Sequence, residues 1–359
     1  MATNCKHKAL VIFNIILLST KLAATDMVDM EHFGQELFYA LASTEPQRNQ
    51  LITPLPLATV LILLRANAEV DSAYEIGDYL GLIGKANEVI QENYDNLLRK
   101  MEKTKYFTMS NNISIVTSQI VVDTVKLSIR DTIKVWRTHR ICYKAADLTN
   151  SGHKTDILLE TKMHFNNVLR YSLSSSTRGY FHTHNGDKIE KEMLNHIAEV
   201  RYGKVPQLSA TAIEVPYSDG NTFLLIFLPH NPMGIRELEK HLKVFPLGSM
   251  NSYLRRNRLK LILPKFKTHV KMSVRDGLIE LGMGSMFKRL CETTSHIRVG
   301  DIVFSSSFGI NEQTAGAETF IDDDEATLAK IPEIRVDHPF IFLVKSIRND
   351  IYLMGKIVT

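Results

Sequence analysis

Two apolar, strand-like runs, Phe308 to Glu312 and His338 to Val344, enclose about twenty-five residues that no core would accept. The enclosed stretch is rich in Ala, Thr, Asp and Glu and contains Asp322-Asp323-Asp324-Glu325. Connections of that length without structure of their own are uncommon inside compact domains, and are usually functional or disordered. A chain that carries one must hold it outside the core, between two packed strands.

The ends and the composition narrow the class. Lys6 and Lys8 form a basic head, Ala9 to Leu18 is apolar apart from Asn14, and Ala23 and Ala24 are small residues suited to cleavage. This reads as a secretory signal over 1–24, with a buried first helix as the alternative. The apolar run is short for a membrane span, and no second one follows. The expectation is therefore an exported, extracellular protein with no membrane partner.

The chain has 359 residues, 44% of them hydrophobic, with no Gly/Ser or Pro-rich linker and no internal repeat. Residues 25–359 read as one large domain, expected to be a monomer. A formal charge of +4 is no argument for a nucleic-acid partner. Of three cysteines, Cys5 falls in the signal. Cys142 and Cys291 read as buried free thiols, with pairing in an oxidising compartment as the alternative. Asn112-Ile113-Ser114 is the single glycosylation sequon, and it lies in a stretch that reads as strand.

Helical spacing appears over Asp29 to Leu41, Ala58 to Asn67, Asp71 to Leu80, Glu88 to Lys103 and Gly234 to Leu242. Strands are expected at Ser114 to Val122, Ala212 to Val215, Phe223 to Leu228, Leu259 to Leu263, Ile302 to Ile310, Ile334 to Val336, Phe340 to Val344 and Ile351 to Ile357. Helices dominate the first third and antiparallel strands the rest, which predicts an α+β fold with large, mostly antiparallel sheets and a cluster of helices.

Several segments, in order, resemble landmarks of the serpin family of protease inhibitors. They are Leu51-Ile52-Thr53-Pro54-Leu55, Ala73-Tyr74-Glu75-Ile76 with Leu80-Gly81-Leu82, and Glu214-Val215-Pro216-Tyr217 with Phe223 to Pro229. Further on come Leu263-Pro264-Lys265-Phe266-Lys267, Leu281-Gly282-Met283 with Met286-Phe287, Asp337 to Phe342, and Gly355-Lys356-Ile357-Val358. The resemblance covers nearly the whole chain after residue 24. It implies a serpin-like fold with an exposed reactive-centre loop at about 312–333. It also implies an inhibitor rather than an enzyme, with a serine protease as partner.

The same resemblance assigns roles within the loop. Glu312 corresponds to the hinge glutamate, followed by Thr314, Ala315, Gly316 and Ala317. Family spacing places the reactive bond at Leu328-Ala329, which suits chymotrypsin-like or elastase-like proteases. Lys330-Ile331 is the alternative and suits a trypsin-like pocket. A strand made from this loop would turn every second residue inward: Ala315, Ala317, Thr319, Ile321, Asp323 and Glu325. The first four suit a core; the last two do not.

Other positions depart from the family. Glycine is replaced by Thr314 at the hinge, a buried tryptophan by Leu169, a histidine by Phe304, and two serines by Thr53 and Pro56. Between Asp147 and His164 the chain is about twenty-five to thirty residues shorter than the family, which predicts loss of the helix that crosses the main sheet.

No cofactor is expected, since phosphate loops and nucleophile elbows are absent from the sequence. His182-Thr183-His184 reads as two surface histidines on one strand face, not a metal site. The acidic run at 322–325 reads as a solvated face and lacks the spacing of a calcium loop. Arg99, Lys100, Lys103 and Lys105 close a helix, where basic charge is favourable in itself. A sulfated polysaccharide is the alternative reading for them.

Overall fold

A computed structural model describes residues 30–104, 106–117, 120–128, 141–148, 154–171, 175–291, 296–310 and 331–359. Among these, helices α1 (Met30–Thr44), α2 (Pro54–Arg65), α3 (Val70–Tyr79) and α4 (Asn87–Thr104) occupy the first part of the chain, close to the spans that periodicity predicts. α2 is buried along its whole length from Pro54 to Leu64 and lies beneath the middle of a five-stranded sheet. Proline at its first turn suits a position whose N–H has no helical partner.

That five-stranded sheet contains β2 (Phe107–Thr117), β3 (Ile120–Ser128), β4 (Thr155–Phe165), β10 (Phe266–Ser273) and β11 (Ile297–Ile310), in the order β10-β11-β4-β2-β3. The strand expected over Ser114 to Val122 is divided between two: 114–117 close β2 and 120–122 open β3, which pairs antiparallel with it. A second, nine-stranded sheet holds β1 (Gln50–Ile52), β5 (Ser175–His182), β6 (Lys188–Val205), β7 (Ala210–Pro216), β8 (Thr222–Pro229) and β9 (Arg255–Pro264), followed by β12 (Glu333–Arg335), β13 (Phe340–Ser346) and β14 (Ile351–Ile357). One hydrophobic core of large apolar side chains joins both sheets and the helices.

The strands are not all antiparallel. β4 and β11 run parallel over most of their length, and the three residues of β12 pair parallel with β9. The sheets are mostly antiparallel, as expected, and the parallel exception of most consequence is at the centre of the smaller sheet.

The two remaining cysteines are corrected. Cys142, on α5 (Ile141–Leu148), is disulfide-bonded to Cys291, with Cα atoms 5.8 Å apart. Burial is common to free and bonded cysteine, so it could not distinguish the two states. The bridge ties α5 to the segment leading into β11.

Residues 149–154 are all that separate α5 from β4. The shortening anticipated between Asp147 and His164 falls in part on residues outside the described ones. Among the described residues, the face of the smaller sheet turned away from α2 is left open. β4 shows it directly: Thr155, Ile157, Leu159, Thr161, Met163 and Phe165 are buried, while Leu158, Lys162 and His164 are exposed and Asp156 and Glu160 half-buried.

Candidate functional site

The site is built around the seam between β4 and β11. Parallel sheets are usually covered on both faces, and parallel pairing is slightly weaker per residue than antiparallel. Here a parallel pair sits mid-sheet with one open face. It is paired in register from Ile297 and Thr155 at one end to Ser307 and His164 at the other.

The register slips once, between Val299 and Asp301. Gly300 occupies the slip. A Cβ there would meet Asp156 Cβ and Leu158 Cδ2, both at 2.9 Å, so close approach of the two strands requires glycine.

The inner face of the seam is apolar and aromatic. At its upper end Phe165 and Phe308 stand across from each other, with ring centroids 6.3 Å apart. Phe308 stacks on Phe342 at 4.9 Å, and Phe107 and Phe266 extend the cluster. Leu169, at the position where the family carries tryptophan, is buried beside this cluster and bridges to Tyr217. Phe304 pairs with Thr161 in register at mid-seam, and both are buried. The Thr161 and Thr53 hydroxyls make no hydrogen bond among the described residues, and an unsatisfied buried polar atom costs about 1–3 kcal/mol. Where the family pattern has polar residues, this core has aromatic packing and two unpaired hydroxyls.

The outer face is polar and is cross-linked at four-residue intervals along β4. Asp156 accepts from Arg298 of β11 at 2.7 Å, and this pairing raises the guanidinium pKa. His164 Nδ1 lies 3.0 Å from Ser307 Oγ, also across the seam. Between them, Glu160 takes Lys162 and Lys271 each at 3.2 Å and accepts from Asn112 Nδ2 at 3.0 Å. Partial burial pushes the Glu160 carboxyl up, but hydrogen bonds from Lys162, Lys271 and Asn112 outweigh it and hold the group below its ordinary range. Of these, Asn112 stood out in the sequence only as a glycosylation sequon, and Asp156, Glu160, Lys162, Lys271 and Arg298 carried no motif. The strict alternation of Thr155 to Phe165 was the available signal.

Above the seam, β11 ends at Ile310, buried against the aromatic cluster. The chain resumes at Ile331 and pairs three residues of β12 with β9, on the edge of the other sheet. Segment 311–330 thus connects a firmly packed strand of one sheet to a short edge strand of the other. β12 has exposed Glu333 and Arg335, and Glu333 pairs with Lys260 at 3.0 Å.

The predicted hinge residues Glu312, Thr314, Ala315, Gly316 and Ala317, the bond Leu328-Ala329, and Lys330 lie outside the described residues; Ile331 is half-buried at the far anchor. Asn112 is in β2, half-buried, with its amide engaged by Glu160. His182 ends β5 and is exposed, but His184 lies beyond the strand and is half-buried, so the two do not share a strand face. No cluster of three metal-ligating side chains occurs among the described residues. Arg99 is exposed on α4, and Lys105 lies outside the described residues.

Comparison with known proteins agrees with this geometry. The family model described as Serpin (serine protease inhibitor) matches residues 29–133 and 121–359. Serine protease inhibitor 42Dd of Drosophila melanogaster is 22% identical over 91% of this chain and 95% of its own length. Iris of Ixodes ricinus is 24% identical over 91% and 97%, and Serpin B5 of Rattus norvegicus 24% over 90% and 96%. Among solved structures, a tumour-suppressing serpin superposes with a TM-score of 0.72 at 19% identity, covering 93% of this chain and 99% of that one. Serpin48 of Tenebrio molitor gives 0.68 at 20%, covering 92% and 96%.

Proposed function

The chain belongs to the serpin family, and on that premise we propose that it inhibits a serine protease by presenting segment 311–330 as bait. The observation that carries this reading is the parallel seam with a twenty-residue segment leaving from its upper end. A chain that leaves β11 at its C-terminal end must double back to enter the seam. It would then run antiparallel to β11 and, because β4 is parallel to β11, antiparallel to β4 as well. One parallel ladder would become two antiparallel ones, which is the source of driving force.

In the proposed reaction the protease serine attacks the Leu328 carbonyl, Ala329 leaves as a free amine, and the enzyme stays joined to Leu328 as an acyl ester. The freed hinge side enters the seam, Ala315 and Ala317 first. The ester-linked protease is carried along and distorted before water can release it. Leu328 favours a chymotrypsin-like or elastase-like target, with Lys330-Ile331 as the alternative bond for a trypsin-like one. The reading includes export, supported by the basic and apolar N-terminus. The Cys142–Cys291 bridge supports it too, because such bonds persist in oxidising compartments.

A second reading is favoured by particular residues. Asp323 and Glu325 would turn inward, and each unpaired buried carboxylate costs several kcal/mol. Thr314 stands where the hinge backbone must swing. A serpin of this kind would be cut and would trap nothing, acting as a carrier, a signalling ligand or a decoy.

One experiment separates the two. The protein is incubated with a panel of serine proteases and examined by denaturing gel and mass spectrometry of the cut. Inhibition predicts a covalent complex with a chymotrypsin-like or elastase-like enzyme, cut after Leu328. Clean cleavage with every protease, and no change in melting of the nicked protein, refutes trapping and leaves the second reading.

A further inference from the structure

We propose that Glu160, reaching over β11 to Lys271, is a latch that sets how readily the β4–β11 seam admits another strand. The inference rests on the reading of the seam given above. It comes from the open face, where β4, β11 and β10 lie side by side. In register, Lys162 of β4, Ser305 of β11 and Lys271 of β10 form one row across three strands. Glu160, two residues below Lys162 on the same face, pairs with both flanking lysines at 3.2 Å. Its contact with Lys271 therefore passes over β11 altogether and binds β4 to the strand beyond it.

A strand entering between β4 and β11 would add one interstrand spacing, about 4.8 Å, between Glu160 and Lys271. An ion pair at 3.2 Å cannot survive that separation without stretching both side chains to their limit. Lys162 and Asn112 are on the β4 side and move with Glu160, so they keep the carboxylate aimed while the seam is closed. Asp156–Arg298 below and His164–Ser307 above also cross the seam, but each joins adjacent strands only. On the inner face Phe304 faces Thr161, whose hydroxyl is unbonded, and the polar contact above them is the 3.3 Å bond from Ser306 Oγ to the Met163 carbonyl, which joins adjacent strands only. The outer carboxylate is thus the charged restraint that spans all three strands at the level where an incoming strand must part the sheet.

The test uses a synthetic peptide with the sequence of residues 312–325 as the incoming strand, and the intact full-length chain as host. Uptake is followed by native mass spectrometry and by the gain in melting temperature. Glu160→Gln and Lys271→Met are expected to take up the peptide about fivefold faster than wild type, the size of one lost ion pair. The double variant is expected to be no faster than Glu160→Gln, because both changes remove the same contact. Lys271→Arg, which keeps the charge, is expected near the wild-type rate. Lys267→Met, on the same face of β10 but outside the contact, is expected to match wild type.

If wild type takes up the peptide and Glu160→Gln and Lys271→Met do so at the same rate, the latch is overturned while the seam reading stands. If no form takes up the peptide and nicking within 311–330 leaves melting unchanged, the seam reading falls and the latch with it. Circular dichroism on each variant separates a loosened seam from a misfolded chain.

Discussion

Along β13 every residue from Phe340 to Ser346 is buried, whereas along β4 buried residues alternate with exposed or half-buried ones from Thr155 to Phe165. β8 and β14 resemble β13, with near-continuous burial. The nine-stranded sheet is antiparallel through this middle region and covered on both faces. The five-stranded sheet carries a parallel pair at its centre and polar side chains on an open face. Full burial makes a strand costly to shift, because nearby side chains lose packing on both sides. One-sided burial lets neighbours part while only half of their contacts are disturbed. The larger sheet is the frame of the molecule and the smaller one its adjustable part.

The sharpest way to break this comparison is inside the frame. Lys356 of β14 is fully buried and holds Glu239 of α6 (Ile235–Leu242) at 2.8 Å, with carbonyls of Ala42 and Pro46 nearby. Burial pushes the Lys356 pKa down and the Glu239 pKa up, and the attraction between them does not cancel either shift. Lys356→Met alone strands the carboxylate and is expected to cost about 3–5 kcal/mol in denaturant unfolding. Adding Glu239→Leu is expected to recover most of the loss. Equal behaviour of the single and double variants would show that the frame does not depend on this pairing.

The disulfide is the next largest test. Cys142→Ser with Cys291→Ser opens a link across a separation of 149 residues and is expected to cost about 2–4 kcal/mol. The loss should fall on the adjustable part, because the bridge anchors the base of β11. Hydrogen exchange should quicken in β4 and β11 while β8 and β13 keep their protection.

A smaller effect is expected at the register slip. Gly300→Ala forces its new methyl group against Asp156 and Leu158, and should destabilise the intact chain by about 1–3 kcal/mol, read by thermal melting. The same substitution at Gly284, where a Cβ meets nothing, is expected to have little effect.

The smallest effect is in the pH dependence of the latch. The Glu160 carboxyl lies below its ordinary value of 4.5 in the folded protein. A depressed carboxylate contributes fully above the unfolded value and loses its contribution as pH falls through the folded one. The difference in peptide uptake between wild type and Glu160→Gln should therefore be constant from neutral pH to about 4.5 and vanish in stronger acid. A difference already lost near pH 6 would show that the Glu160 carboxyl is not the group that titrates.

Much of this architecture was legible in the sequence. Helices α1 to α4 announce themselves by apolar spacing, and β8, β13 and β14 by unbroken apolar runs, because a strand buried on both faces has no polar side to interrupt it. β4 and β6 escaped the same reading. Thr155 to Phe165 alternates with Glu, Lys and His, and Lys188 to Val205 is full of helix-favouring Glu, Lys, Leu and Ala, so tertiary pairing overrides local preference in both. The seam could not be read at all, since strand direction and adjacency are properties of the whole topology. For the same reason Glu160 and Lys271, 111 residues apart, carry no local sign of their meeting.

The place of the last two strands has a consequence for what a protease leaves behind. β13 lies between β8 and β14, with its side chains packed into the common core. A cut at residue 328 would make two polypeptides, the lighter one ending at Thr359, yet the lighter piece contributes central strands of the frame. Backbone continuity would be lost without loss of mass, and the two pieces would sediment as one particle until a denaturant pulled them apart.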